Sequence, residues 1–246
     1  GAGSYGDATS CLMRLYAERH GYAFYAERAL QRLGIDRPVA WQKIRLLLDR
    51  LDDVDLIVWM DADIAWTDSD LDLANLFFQR LSTTSACTGN LGQLERDAIA
   101  GAAIGNSEED VVFMWASADV RPKQKNMNLN SAVMALRSGD RARHFLEAVW
   151  TAGDDPHFYR KFNPKWQKQL PGDHYWGWPF EQGAVWDVLE SNHDLLRRTC
   201  IVPVGTLHSV QYHRWKPGGS PGAHMPGMSG NERRLAACHH LALAIS

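Results

Sequence analysis

Several things are missing from this chain, and each absence removes a class of function. No apolar run approaches the roughly 20 residues that cross a bilayer, so a membrane anchor would have to lie outside these 246 residues. There is no basic stripe. The net charge is −3 with acids and bases interleaved, so nucleic acid is not an expected partner. There is no CxxC pair. The four cysteines, Cys11, Cys87, Cys200 and Cys238, lie far apart, which argues against structural zinc and for scattered buried thiols. No Asn-x-Ser/Thr acceptor occurs, which speaks mildly against a secreted glycoprotein. Neither an internal repeat nor a linker interrupts the chain, so residues 1–246 read as one domain with one sizeable core. Nothing in the composition fixes an oligomeric state.

What is abundant is tryptophan, ten in all. Aromatic faces stack on sugar rings, although a large aromatic core accounts for tryptophan just as well. The apolar spacing predicts helices over 7–20, from Pro38 through Leu51, over 71–81, across 142–150, over 181–191 and over 231–245. Asp7 or Thr9 is a candidate cap for the first helix, and Gly21 its stop. Strands are predicted at 22–25, 56–60, 84–88, 111–115, 130–136 and 200–204. Residues 89–110, 153–180 and 216–230 read as loops. Alternating strands and helices predict an α/β fold.

One stretch carries more chemistry than the rest: Leu56-Ile57-Val58-Trp59-Met60-Asp61-Ala62-Asp63. Five apolar residues without alternation predict a strand covered on both faces. Two aspartates at its carboxyl end stand where open α/β sheets bind ligands. If the backbone stays extended there, both side chains point the same way and can share one hard divalent cation, which in turn can hold a diphosphate. Caps and turns also produce such pairs. An EF-hand is excluded, because the required glycine and glutamate are absent at their positions counted from Asp61 or Asp68. A haloacid-dehalogenase-type phosphatase also starts with a strand and Asp-x-Asp, but it needs Thr or Val where Ala65 stands. A non-catalytic sugar-binding module is the other alternative.

Three further places compete with plain structural explanations. His224 lies in the glycine-rich stretch Gly222 to Gly230, where backbone N–H groups can approach phosphate and an imidazole can complete a metal shell; a lone loop histidine is otherwise just solvated. Arg233 and Arg234 follow on the predicted last helix. Glu181-Gln182 opens a helix, either as dipole partner or as a carboxylate and amide at a cleft edge. Asn130-Ser131 begins a strand, as turn chemistry or as sugar recognition.

In order along the chain, Tyr16-Ala17-Glu18-Arg19-His20-Gly21-Tyr22, Trp41-Gln42-Lys43-Ile44, Ile57 to Asp63, Leu129-Asn130-Ser131, Glu181-Gln182-Gly183-Ala184 and His224-Met225-Pro226-Gly227 resemble glycosyltransferase family 34. That family holds fungal alpha-galactosyltransferases and plant xyloglucan xylosyltransferases. The resemblance implies a single GT-A (Rossmann-like) domain with a mixed central sheet. It implies retaining transfer from a nucleotide-diphosphate sugar, UDP-linked, to a glycan hydroxyl, with Mn²⁺ (or Mg²⁺) on the diphosphate. It makes Asp61, Asp63 and His224 the metal ligands, Glu181 the acid beside the reacting sugar and Gln182 its neighbouring amide. Asp61, Asn130, Gly227, Ser229 and Arg233 fall to donor binding, and Trp166, Tyr175, Trp176 and Trp178 are expected as acceptor platform. Three departures stand out. Ala132 replaces a glycine and narrows the pocket floor, and Ser229 replaces the phosphate lysine of plant members, with Arg233 or Arg234 as substitute. The family's first strand has no room before residue 7 and is expected upstream or absent. Eukaryotic members work in the Golgi lumen behind an anchor; a bacterial or viral relative would be cytosolic.

Overall fold

The computed structural model describes residues 5–26, 39–81, 111–119, 129–155, 157–158, 180–203, 205–209 and 221–224. The chain opens with α1, Tyr5–His20, and α2, Val39–Arg50, followed by a 3-10 turn at Leu51–Asp53. Then come β1, Leu56–Met60, and β2, Ile64–Trp66. Next is α3, a single α-turn at Leu73–Asn75 that widens into a π-turn at Leu76–Arg80. β3, Met114–Ala118, β4, Leu129–Arg137, and α4, Asp140–Ala152, follow. The described part ends with α5, Phe180–Ser191, α6, His193–Arg197, β5, Thr199–Val202, β6, His208–Ser209, and β7, Gly222–His224.

Four strands form the central sheet in the order β1-β4-β3-β5. β4 is antiparallel to both neighbours, while β3 and β5 are parallel, so the sheet is mixed. Side chains alternate across it, as the pleat requires. Met114, Ala116, Met134 and Leu136 meet Trp41, Ile44 and Leu47 of α2, Phe145 and Leu146 of α4, and Val185 and Trp186 of α5 in one core. Trp115, Val133 and Ala135 face the other way, toward Tyr16, Ile64, Trp66, Leu73, Phe77 and Leu207. Trp41, Trp66, Trp115 and Trp186 are all buried, so the plain aromatic-core explanation holds for these four. The Trp115 indole N–H is satisfied by the Leu81 carbonyl at 3.0 Å.

A second, smaller sheet has the order β2-β7-β6. β7 runs antiparallel to β2, with Ile64 opposite His224 and Trp66 opposite Gly222. Gly222 suits a close approach: a Cβ there would lie 3.0 Å from both the His208 Cβ and the Leu207 carbonyl oxygen, so a side chain would force a neighbour to shift. This sheet brings residues 222–224 back to the turn that follows β1.

The structure revises several expectations. β1 packs on both faces without alternation, Ile57 and Trp59 on one core and Leu56, Val58 and Met60 on the other, but its five residues are half-buried rather than fully covered. The backbone does not stay extended through Asp61-Ala62-Asp63. The Ile64 N–H bonds the Asp61 carbonyl at 2.9 Å and closes a turn, which lets β2 leave the first sheet. Residues 22–25 are irregular instead of a strand, and the Tyr22 hydroxyl donates to Asp72 and accepts from the Ala74 N–H. α1 starts at Tyr5, so Asp7 and Thr9 lie inside it, whereas Gly21 does stop it, at φ 71° with Tyr22 N–H bonding the Ala17 carbonyl. The strand expected at 111–115 lies at 114–118, and part of the 216–230 loop is β7. Cys11 is a free thiol but Cys200 is disulfide-bonded, which spacing alone did not reveal. Residues 84–88, 89–110, most of 153–180 and 231–245 lie outside the described residues.

Candidate functional site

Four elements converge at the carboxyl end of β1. The Asp61 N–H extends the β1–β4 ladder by bonding the Ala132 carbonyl at 2.8 Å, so its Cα is held by the sheet while its carbonyl closes the turn. The Trp59 indole N–H donates to Asp61 Oδ1 at 2.6 Å. Beside it, β4 is bulged. Ala116 opposes Met134 but Ser117 opposes Asn130, so residues 131–133 leave the ladder with β3. Bulges of this kind re-aim side chains near sites. Here the Ser131 N–H, freed from the ladder, donates to Gln182 Oε1 at 3.0 Å, and Asn130 Oδ1 accepts from the Ala132 N–H at 2.9 Å.

α5 brings Glu181 and Gln182 to the same place from its first turn. Glu181 is not a solvent-facing dipole partner. Its side chain is 5% exposed, and Oε1 accepts from Ser131 Oγ at 2.9 Å. Gln182 Nε2 donates to Asp119 Oδ2 at 3.3 Å, just past the end of β3. At the centre stands Lys43 of α2, 4% exposed, with Nζ 2.8 Å from Asp61 Oδ1 and 2.8 Å from Glu181 Oε1. Burial alone would lower the Lys43 pKa. The Asp61 and Glu181 carboxylates outweigh it and hold the ammonium above its ordinary value, so Lys43 stays charged. One ammonium between two carboxylates leaves a residual negative charge at the mouth of the sheet.

The expected residues fall into three groups. Asp61 and Glu181 meet at Lys43, Glu181 and Gln182 meet at Ser131, and Asn130 precedes Ser131 with its Oδ1 bonded to the Ala132 N–H. Asp63 ends the turn and is half-buried, and the β2–β7 register sets residue 224 opposite Ile64, one position from Asp63. Gly227, Ser229, Arg233 and Arg234, with Trp166, Tyr175, Trp176 and Trp178, lie outside the described residues. Ala132 is buried in the second core. Among the described residues no group of three or more His, Cys, Asp or Glu side chains is arranged to hold a metal ion. Lys43 and Asp119 were given no role by sequence reasoning. Lys43 was detectable: it stands four residues before Leu47 and eight before Leu51 on the buried stripe of α2, where a lysine needs a partner. Asp119 left no such signal.

A family model, the galactosyl transferase GMA12/MNN10 family, matches residues 13–236. The chain belongs to that family. It is a glycosyltransferase, which removes the phosphatase and the non-catalytic binding module as readings. Among solved structures it is similar to a glycosyltransferase involved in the glycosylation of the major capsid of PBCV-1. The TM-score is 0.62 and the identity 13%, over 96% of this chain and 92% of that one, a likeness of fold. No curated protein matches the chain.

Proposed function

We propose that this glycosyltransferase moves a hexose or pentose from a UDP-linked donor to a glycan hydroxyl with retention, using a divalent cation. The observation that carries the reading is the meeting of two carboxylates at the carboxyl end of β1, those of Asp61 and Glu181, beside the turn where β7 returns. Asp61, Asp63 and His224 would hold Mn²⁺ or Mg²⁺. The donor chemistry fits, with two carboxylates and one imidazole for a borderline-hard cation and a residual negative charge around it. Asp61 Oδ1 is occupied by Trp59 and Lys43, and Oδ2 has no partner among the described residues. When bound, the cation would neutralise charge on the leaving diphosphate.

The chain's own residues do the rest. Glu181, held by Lys43 and Ser131, faces the reacting sugar with its second oxygen. Gln182 is oriented at both ends of its amide, by the Ser131 N–H and by Asp119, and serves a sugar or acceptor hydroxyl. Asn130, with Oδ1 fixed on Ala132, serves the donor-sugar pocket through its amide nitrogen. Thermal-shift and hydrolysis screens of UDP-, GDP- and dTDP-sugars with Mn²⁺ test the donor. Stabilisation by a UDP-sugar that vanishes in excess chelator is expected. Undiminished activity in chelator would remove the metal from the reading, and an inverted product in an NMR spectrum would remove retention.

A further inference from the structure

An ammonium has three N–H donors. The Lys43 ammonium directs them at Asp61 Oδ1 and Glu181 Oε1, each 2.8 Å away, and at Ser131, whose carbonyl lies at 3.3 Å and Oγ at 3.4 Å. No donor remains for a phosphate or a sugar hydroxyl, and burial closes the approach. The accepting oxygens are doubly used as well. Asp61 Oδ1 also takes the Trp59 indole N–H, and Glu181 Oε1 also takes Ser131 Oγ. These bonds tie α2 to the end of β1, the bulge of β4 and the first turn of α5.

We propose that Lys43 is a positioning residue. It fixes one oxygen of Asp61 and one of Glu181 no further apart than twice 2.8 Å, so that each acid presents only its other oxygen to the ligands. This rests on the roles given above to Asp61 and Glu181. Without the ammonium the two carboxylates repel one another, and the bulge and helix, still bonded to each other through Ser131, lose their tie to α2 and Asp61. A misplacement of about 1 Å at a reacting group costs about 100-fold in rate.

The test uses the nucleotide sugar that the wild-type protein hydrolyses fastest with Mn²⁺ among UDP-, GDP- and dTDP-sugars. Lys43→Met should lower kcat by about 100-fold while donor KM stays within about 3-fold. Lys43→Arg, which keeps the charge but imposes a planar fork, should recover the thermal midpoint far more than kcat. A raised KM with kcat intact would make Lys43 a donor-binding residue and overturn the proposal. So would recovery of kcat in step with the midpoint, since the charge alone would then suffice. The thermal midpoints of Lys43→Met, Glu181→Gln and the double variant need no substrate. Losses well short of additive support the clamp, and additive losses overturn it. If the wild type hydrolyses no nucleotide sugar, the donor reading fails while this cycle still decides the clamp. The double variant, which removes a charge of each sign, keeps the test open if Lys43→Met alone does not fold.

Discussion

Two ionic clusters sit at opposite ends of the central sheet and are built with opposite logic. At the carboxyl end of β1, one buried lysine serves two acids, Asp61 and Glu181. At the other end, where Thr199 of β5 pairs with Met114 at the start of β3, one acid serves three arginines. Asp194 of α6 lies 3.8 Å from Arg141 Nε, 2.5 Å from Arg197 Nη2 and 3.2 Å from Arg198 Nε. Asp194 is 49% exposed, whereas Lys43 is 4% exposed. Water screens the surface cluster, so its pairs contribute little each. The interior cluster is screened far less, with Lys43 and Glu181 buried and Asp61 only partly exposed, and losing one partner strands a charge. Stability and function should therefore respond very differently at the two ends.

The sharpest break comes beside the interior cluster. Replacing Asp63 or His224 with Ala removes a proposed cation ligand but leaves Lys43 with both its acids. Metal-dependent donor hydrolysis should fall by at least about 10³-fold with the thermal midpoint nearly unchanged. A large midpoint drop would show these residues to be structural. Next in size is Glu181→Gln, which keeps the shape and a hydrogen-bond acceptor but removes the charge. Turnover should fall by about 100-fold with donor affinity barely altered, read from kcat and from titration of a nonhydrolysed donor analogue. Equal losses in both would make Glu181 a binding residue.

The outline of this arrangement was legible in the sequence because much of it obeys local rules. The 3.6-residue stripes of α2, α4 and α5 mark the helices to within a few residues. The run at 56–60 marks β1, and the position of Asp61 at its end follows. The turn at Asp61–Ile64 was not legible, since it exists to hand the chain to β2, whose partner β7 lies more than 150 residues further on. The bulge at 131–133 is likewise set by register with β3, not by composition. Lys43 was legible only in part: a lysine on an apolar stripe signals that it needs partners, but its role follows from which ones, and these come from two other elements.

The smallest expected effect lies at the surface cluster, and it carries a sign. Asp194 has its pKa lowered, first by the hydrogen bond from Arg197; burial opposes it, and the hydrogen bond and charge of Arg198 add to the lowering. A carboxylate whose folded pKa is depressed contributes stability above its unfolded pKa, and that contribution is lost as pH falls through the folded value. The ordinary value is 3.8, so the stabilisation is complete at neutral pH and disappears only below about pH 4. Half-exposure limits its size to about 1 kcal/mol. Arg198 complicates the surface picture, because its side chain is 5% exposed and its Nη1 is buried without an acceptor among the described residues. Asp194→Ala should therefore cost about 1 kcal/mol at pH 7, at the upper end for such pairs, and should flatten the acid limb of stability measured in denaturant between pH 3 and pH 5. Donor hydrolysis should not change. A loss as large as that from Lys43→Met would mean that Arg198, not the exposed arginines, dominates, and that the two ends of the sheet differ less than their exposure implies.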